Sequence, residues 1–277
     1  AGSGDVGERE LSERVDAHRR PYETHWQMNP RTRAVLDEAL DAAMAARGGR
    51  PPSVVLDVGC GRQSNVVFPG AELVVGTDID GEGLAGNRTV DIAIAGDIVA
   101  TDLPERSVDA IACIYVLEHV RHPDLVLAKF ARALRPGGVL VVAVPNVAAP
   151  KAKITRWTPL SFHTFVYRRL LGRNDPNTGL PFATVLDPSI RPDRIEELAR
   201  DIGLRVLLRR DFEDNKQRQL RQRIHLDGRA WSLVRRACRG LTGGRVDPAD
   251  SDVVFALERI ADPAPSELAR ALEPAAA

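Results

Sequence analysis

The segment Val54-Val55-Leu56-Asp57-Val58-Gly59-Cys60-Gly61 decides the fold. A short apolar run that ends in a turn of small residues is typical of a buried strand in a parallel sheet. Gly59 and Gly61 allow the backbone to approach a ligand at the carboxyl end of that strand, where open α/β sheets place their sites. Any tight turn after a strand also favours glycine, so the turn alone is weak evidence for a ligand.

Asp78 strengthens the prediction of a ligand site. It lies twenty-one residues after Asp57, at the end of the apolar run Val74-Val75-Gly76-Thr77. A carboxylate at that separation can accept hydrogen bonds from both hydroxyls of a ribose. The alternative is a helix N-cap or a turn residue. Together with the glycine turn, Asp78 predicts an adenosine-containing ligand.

Asp57 and Ser64 distinguish between two adenosine ligands. A pyrophosphate binds backbone N–H groups at a helix N-terminus, and the dinucleotide pattern would place a glycine near position 64, where this chain has serine. Asp57 would also repel phosphates, whereas it would attract the ammonium and sulfonium of S-adenosylmethionine. An NAD-dependent oxidoreductase and a non-catalytic module that binds adenosyl ligands are the alternatives.

Residues 53–146 resemble the class I S-adenosylmethionine-dependent methyltransferases, and among them the methyltransferase type 11 and type 12 families. The segment Leu56–Gly61 is similar to their first motif. Later segments are similar to the remaining motifs, in family order and spacing: Gly96-Asp97, Leu103-Pro104, Val108-Asp109-Ala110, Leu117-Glu118-His119-Val120, Leu134-Arg135-Pro136-Gly137-Gly138 and Pro145-Asn146.

The resemblance implies a set of cofactor-binding positions. Asp57, Gly59 and Gly61 would surround the methionine part, Asp78 would bind the ribose, and Asp97 with Ile98 would meet the adenine. Tyr115 and Val116 would lie along the cofactor, and Cys60 and Ile79 complete the predicted site. Arg62 stands where the family often has a small residue, followed here by a shortened helix. It could bind the methionine carboxylate or be an exposed arginine without a role.

The apolar runs predict a doubly wound, mostly parallel sheet of seven strands with helical cap insertions. The predicted strands are Ser53–Val58, Leu73–Thr77, Ile92–Ala95, Val108–Tyr115, Val139–Val144, Leu204–Leu208 and Val253–Ile260, and the predicted helices are Pro30–Arg47, Pro123–Leu134 and Pro192–Ile202. We expect a disordered N-terminus at 1–20, one methyltransferase domain at 21–262 with its cofactor-binding core at 53–146 and caps at 147–190 and 211–250, and a tail at 263–277.

Composition argues against several classes of function. The chain has 38 basic and 38 acidic residues, so its net charge gives no reason to expect nucleic acid as a partner. We expect no membrane span, because no apolar run is long enough, and no secretory signal, because the first residues are polar and charged. Its three cysteines are far apart and do not have the spacing of a zinc site, so we expect no metal, and they fit a reducing, cytoplasmic location.

The candidate catalytic residue is His119, which follows the fourth strand at the expected methyl position. It could act as a general base, or it could cap the next helix or pack structurally. The candidate substrate residues are aromatic or imidazole side chains that could line an acceptor pocket or a lid, and that could equally be packed core: Trp26, Trp157, Phe162 and His163.

The segment 211–250 is rich in arginine and contains some apolar residues. It could receive an anionic small-molecule acceptor, rest on a membrane surface as a peripheral contact, or be a solvated helix face. The sequence leaves the identity of the acceptor, the methylated atom and the oligomeric state open.

Overall fold

The computed structural model describes residues 28–150 and 187–260. In that part of the chain the sheet has seven strands in the order β3-β2-β1-β4-β5-β7-β6. The strands are β1 (Val54–Val58), β2 (Leu73–Asp78), β3 (Ile92–Ala95), β4 (Val108–Ile114), β5 (Leu134–Pro145), β6 (Leu204–Phe212) and β7 (Asp252–Arg259). The helices are α1 (Pro30–Ala46), α2 (Gly81–Ala85), α3 (Pro123–Ala133), α4 (Pro192–Asp201), α5 (Asn215–Arg223) and α6 (Gly228–Leu241). The predicted sheet of seven strands is confirmed.

The pairing of the strands sets which ends share an edge. β1 to β5 pair in parallel, whereas β7 is antiparallel to both β5 and β6. The first residue of β7, Asp252, is opposite Pro145 at the end of β5 and Phe212 at the end of β6. The carboxyl ends of six strands and the start of β7 therefore lie at one edge, which we call the carboxyl edge.

Helices cover both faces of the sheet. α1 contributes Leu36, Ala39 and Ala43 to a core on one face, and α3 and α4 contribute to a larger core on the other. The sequence explains where α1 begins and ends. Asn29 caps it by accepting from the backbone of Arg31 at 2.8 Å, Pro30 occupies its first turn, and two glycines with positive φ follow it.

Two features differ from the sequence-based expectation. β3 is the edge strand of the sheet, and all of its residues are exposed, although its apolar run had predicted a buried strand. β6 continues to Phe212, so the cap predicted at 211–250 consists of residues 213–251, with α5 and α6 inside it. We call residues 213–251 the β6–β7 excursion.

Candidate cofactor and acceptor site

Two hydrogen bonds donated by backbone N–H groups join the turn after β1 to the end of β2. The Gly59 N–H donates to the Thr77 carbonyl at 2.7 Å, and the Gly61 N–H donates to Asp78 Oδ2 at 2.7 Å. Asp78 Oδ1 accepts from the Asp80 N–H at 2.8 Å, which fixes the carboxylate from both sides. A carboxylate has about four lone-pair sites, so both oxygens can still accept from a ligand hydroxyl.

Gly59 and Gly61 require glycine for different reasons. Both have positive φ, 67° and 50°, which disfavours other residues. A Cβ on Gly59 would lie 2.2 Å from Cγ2 of Val116, so this glycine admits the side chain that follows β4. A Cβ on Gly61 would meet only Asp78 Oδ2, at 3.8 Å. Gly61 is therefore the glycine that keeps space open beside Asp78.

Asp57 is a buried acid with an unsatisfied oxygen. The residue is 2% exposed, and its Oδ2 has no hydrogen-bond partner among the described residues. Burial raises the pKa of the carboxyl, a hydrogen bond with Ser64 lowers it, and the negative charge of Asp78 raises it; together these effects raise the pKa from 3.8 to about 7. An unpaired buried carboxylate is costly, so a cation placed beside Asp57 would be strongly favoured.

The segment between β1 and β2 contains no helix in residues 59–72, where the sequence had predicted a shortened one. The side chain of Cys60 is buried against β2, because a Cβ on Gly76 would lie 2.7 Å from its sulfur. Arg62 is exposed. The turn therefore offers no helix N-terminus to a pyrophosphate.

The predicted adenine positions lie beyond β2 and β3. Ile79, directly after Asp78, is 81% exposed, which gives a large apolar surface at the carboxyl edge. Asp97 is exposed and accepts from the Val99 N–H at 2.9 Å. The side chain of Ile98 is buried in the core on the α3 face. Lys129 of α3 donates to the carbonyls of Ile98, Val99 and Thr101, which holds this loop in place.

A second buried acidic group lies at the ends of β4 and β5. Glu118 is 4% exposed, and its Oε2 has no hydrogen-bond partner in the part of the chain that the structure describes. Burial, with a smaller effect from the negative charge of Asp252, raises the pKa of its carboxyl to about 8. Tyr115, with φ 59°, has its pKa raised well above 10 by burial, by the charge of Asp252 and by its hydrogen bond to that carboxylate. Sequence reasoning missed this cluster because Asp252 is more than a hundred residues from Glu118.

His119 lies beside this cluster, at the end of a 3₁₀ turn, Leu117–His119. Its side chain is 39% exposed, and Nε2 is 4.0 Å from Glu118 Oε1. α3 begins after His122, so His119 is not the residue that caps it. The predicted substrate residues Trp26, Trp157, Phe162 and His163 lie outside the described residues.

Comparisons with known proteins agree on the class. Residues 56–142 match the family described as a methyltransferase domain. A Mycolicibacterium smegmatis protein named a probable S-adenosylmethionine-dependent methyltransferase is 36% identical over 121 residues, which cover 40% of this chain and 44% of that protein. The ubiquinone biosynthesis O-methyltransferase of Mesorhizobium japonicum is 32% identical over 151 residues, with 44% of this chain and 59% of that enzyme covered. The chain thus spans about half the length of these curated relatives.

Solved structures share the fold. The crystal structure of a candidate sarcosine dimethylglycine methyltransferase from Galdieria sulphuraria has a TM-score of 0.51 and 15% sequence identity, covering 83% of this chain and 85% of that one. This is a Rossmann-like methyltransferase fold. Residues 56–142 match a methyltransferase domain, and the Mycolicibacterium relative is named as dependent on the cofactor S-adenosylmethionine.

The residues at the carboxyl edge fit this cofactor. Asp57 provides a buried carboxylate oxygen without a partner, which suits a ligand that carries positive charge. Gly61 leaves space beside Asp78, whose oxygens can accept from ribose hydroxyls. In the part of the chain that the structure describes, no helix is long and apolar enough to cross a bilayer.

Proposed function

We propose that this protein transfers a methyl group from S-adenosylmethionine to an oxygen or nitrogen atom of a small-molecule acceptor at the carboxyl edge. The observation that carries the proposal is the junction of Gly61 and Asp78, with the unpartnered Asp57 Oδ2 beside it. When bound, the cofactor supplies a methyl group activated by the sulfonium. The protein would align the acceptor with that group and exclude water.

The proposed cofactor residues divide by their chemistry. Asp78 would accept from the ribose, and Asp57 would face the positive charge of the methionine part. Gly59, Cys60, Gly61 and Arg62 would provide the turn around it, and Tyr115 and Val116 would line the cofactor from the end of β4. The exposed side chain of Ile79 would cover one face of the adenine, and Asp97 with the backbone of Ile98 would meet its edge.

Replacing Asp78 with alanine tests the cofactor site. The change removes two hydrogen-bond acceptors from the ribose, and we expect S-adenosylmethionine to bind about tenfold to a hundredfold more weakly by calorimetry. Asp80→Ala is the matched control, because it removes a neighbouring exposed carboxylate that caps α2. Equal affinities of wild type and Asp78→Ala would remove the basis of the proposal.

The acceptor is tested by incubating the protein with S-adenosylmethionine and fractionated host metabolites, followed by mass spectrometry for the gain of one methyl group.

We propose His119 as the general base if the acceptor is a hydroxyl, because its half-exposed imidazole lies next to the buried acids at the methyl end of the site. His119→Ala should then lower the single-turnover rate about a hundredfold or more and leave cofactor affinity unchanged. An identical rate across pH 6–9 would eliminate His119 as the base.

An NAD-dependent oxidoreductase is disfavoured by the same turn. Residues 59–72 provide no helix N-terminus for a pyrophosphate, and the buried Asp57 would repel it. A nicotinamide absorbance assay on the same metabolite fractions separates the two functions. A non-catalytic adenosyl-binding module would bind S-adenosylmethionine but give no methylated product.

A further inference from the structure

The β6–β7 excursion concentrates positive charge on a chain that is neutral as a whole. Residues 215–245 contain nine basic residues and one acidic residue, Asp227, whereas the rest of the chain contains 29 basic and 37 acidic residues. At neutral pH the two helices therefore form a strongly cationic surface on an otherwise anionic protein. Such a surface attracts anionic partners.

Some of these charges form ion pairs within the excursion itself. Arg221 pairs with the buried Glu213 at 3.0 Å, and its guanidinium lies over the Trp231 ring at 4.8 Å. Arg235 and Arg239 of α6 both pair with the buried Asp247, at 2.7 and 3.0 Å. The ion pairs with Asp247 fix one side of α6. The other arginines of the excursion take no part in these ion pairs.

Five exposed arginines have no ion pair within the described residues: Arg218, Arg223, Arg229, Arg236 and Arg245. They lie on α5, on α6 and just after α6. Because no acidic side chain of the described chain neutralises them, their charge is available to a partner.

The side of α6 turned away from Asp247 is apolar and exposed. At about 100° per residue, one continuous strip of the helix contains Ala230, Leu233, Val234, Ala237 and Leu241. Leu233 is 63% exposed and Leu241 is 89% exposed. Arg229 and Arg236 border this strip, since each lies three or four residues from Leu233. Exposed leucines bordered by arginines that have no ion pair within the described residues indicate a partner that offers both an apolar phase and negative charge.

We propose that α6 lies in the interface of an anionic lipid bilayer, with its apolar strip among the upper acyl chains and its exposed arginines Arg229 and Arg236 at the lipid phosphates. A basic helix with an apolar face is the type of element that binds such surfaces. A nucleic acid would match the arginines but leave the leucine strip in water. The excursion leaves β6 and returns to β7 at the carboxyl edge, so α6 would attach the protein at the end of the sheet that contains Asp57 and Asp78.

Vesicle flotation with the full chain tests this proposal, which goes beyond methyl transfer and needs no acceptor. We expect the protein to float with phosphatidylcholine vesicles that contain 30% phosphatidylglycerol, and not with pure phosphatidylcholine. Arg229→Glu/Arg236→Glu should weaken binding roughly tenfold or more, because each basic residue near an anionic surface raises the affinity about fivefold. Arg31→Glu/Arg200→Glu, an equal charge change at exposed helix positions elsewhere, should bind as wild type.

The apolar strip is tested by Leu233→Asn/Leu241→Asn, which should also abolish flotation at an unchanged charge. Unchanged calorimetric binding of S-adenosylmethionine shows that each variant is folded, and this readout keeps the proposal separate from the proposed function. The proposal is overturned if wild type ignores anionic vesicles, or if the control arginine variant loses binding as much as the α6 variant does. Binding to duplex DNA or to polyglutamate with no binding to vesicles would likewise overturn it, in favour of a nucleic acid or an acidic protein partner.

Discussion

The carboxyl end of β1 and the β6–β7 excursion each contain a buried aspartate, and the two have opposite surroundings. Asp57 is 2% exposed and Asp247 is 6% exposed. Burial raises the pKa of Asp57 to about 7, and no arginine or lysine of the described residues lowers it. Arg235 and Arg239 surround Asp247, and the hydrogen bond from Arg235 holds its pKa below 3.8.

This difference teaches how to separate a structural acid from a ligand-binding acid. Around Asp247 the chain provides its own counter-charges, so the acid is satisfied when the protein is folded. Around Asp57 the described residues provide none, and the free energy of a counter-charge is left for a ligand. Both aspartates are nearly inaccessible to solvent, so solvent exposure does not distinguish them.

The largest effect is expected from breaking a paired acid in the excursion. Glu213→Gln leaves the Arg221 guanidinium, whose side chain is 11% exposed, without its counter-charge. We expect the free energy of unfolding in urea to fall by about 3 kcal/mol, with little change in cofactor affinity. The matched control is Glu258→Gln, which breaks a pair with Arg205, whose side chain is 59% exposed, and should cost about 1 kcal/mol or less. Equal losses in the two variants would contradict the distinction.

The second prediction concerns an unpaired acid and the pH dependence of stability. The pKa of Glu118 is raised from 4.5 to about 8 in the folded protein, so between these values the folded state keeps a proton that the unfolded state has released. The stabilisation that comes from this retained proton is therefore fully present below about pH 4.5. It is lost as the pH rises to 8, at about 1.4 kcal/mol per pH unit. Glu118→Gln should gain on the order of 3 kcal/mol relative to wild type between pH 5 and 8. A constant difference between the two urea midpoints across that range would show that the carboxyl titrates normally.

The third prediction sharpens the role of Asp57. A cation beside this carboxyl should return it to its charged form, so cofactor binding should release a proton below pH 7. We expect affinity for S-adenosylmethionine to fall up to about tenfold per unit as the pH drops from 7 to 5. Asp57→Asn should bind about tenfold to a hundredfold more weakly at pH 8 and lose this pH dependence. Calorimetry in buffers of different ionisation enthalpy measures the proton directly, and no proton release by wild type would place the cation elsewhere.

The fold could be predicted from the sequence because its signals are local. Each of the seven strands coincides with an apolar run, and α1, α3 and α4 have proline in their first turn. The exposure of β3 could not be predicted, because an apolar run looks the same at the edge of a sheet as at its centre. Its exposure follows from the strand order, which is a property of the whole chain.

The candidate site divides in the same way. Gly61 and Asp78 could be predicted as site residues, since both lie in recognisable motifs after neighbouring strands, but the hydrogen bond between them was not predicted. The raised pKa of Glu118 could not be predicted, because it comes mainly from burial in the packed fold and, to a smaller extent, from Asp252, which pairing with β5 and β6 brings to the carboxyl edge. Asp247 pairs with Arg235 because the chain after α6 folds back along that helix. The charge composition alone does not show which residues become partners in this way.

The base of the β6–β7 excursion has a consequence for how such a protein can be altered. The Asp214 N–H donates to Ser251 Oγ at 2.8 Å, so the chain re-enters the sheet beside the point where it left. β6 and β7 are already adjacent antiparallel strands, and two such strands can be joined by a tight hairpin turn. We therefore expect residues 215–250 to be exchangeable for a short turn, or for a different helical segment, without a change in strand register. The surface that α6 presents could then be replaced independently of the sheet that binds the cofactor.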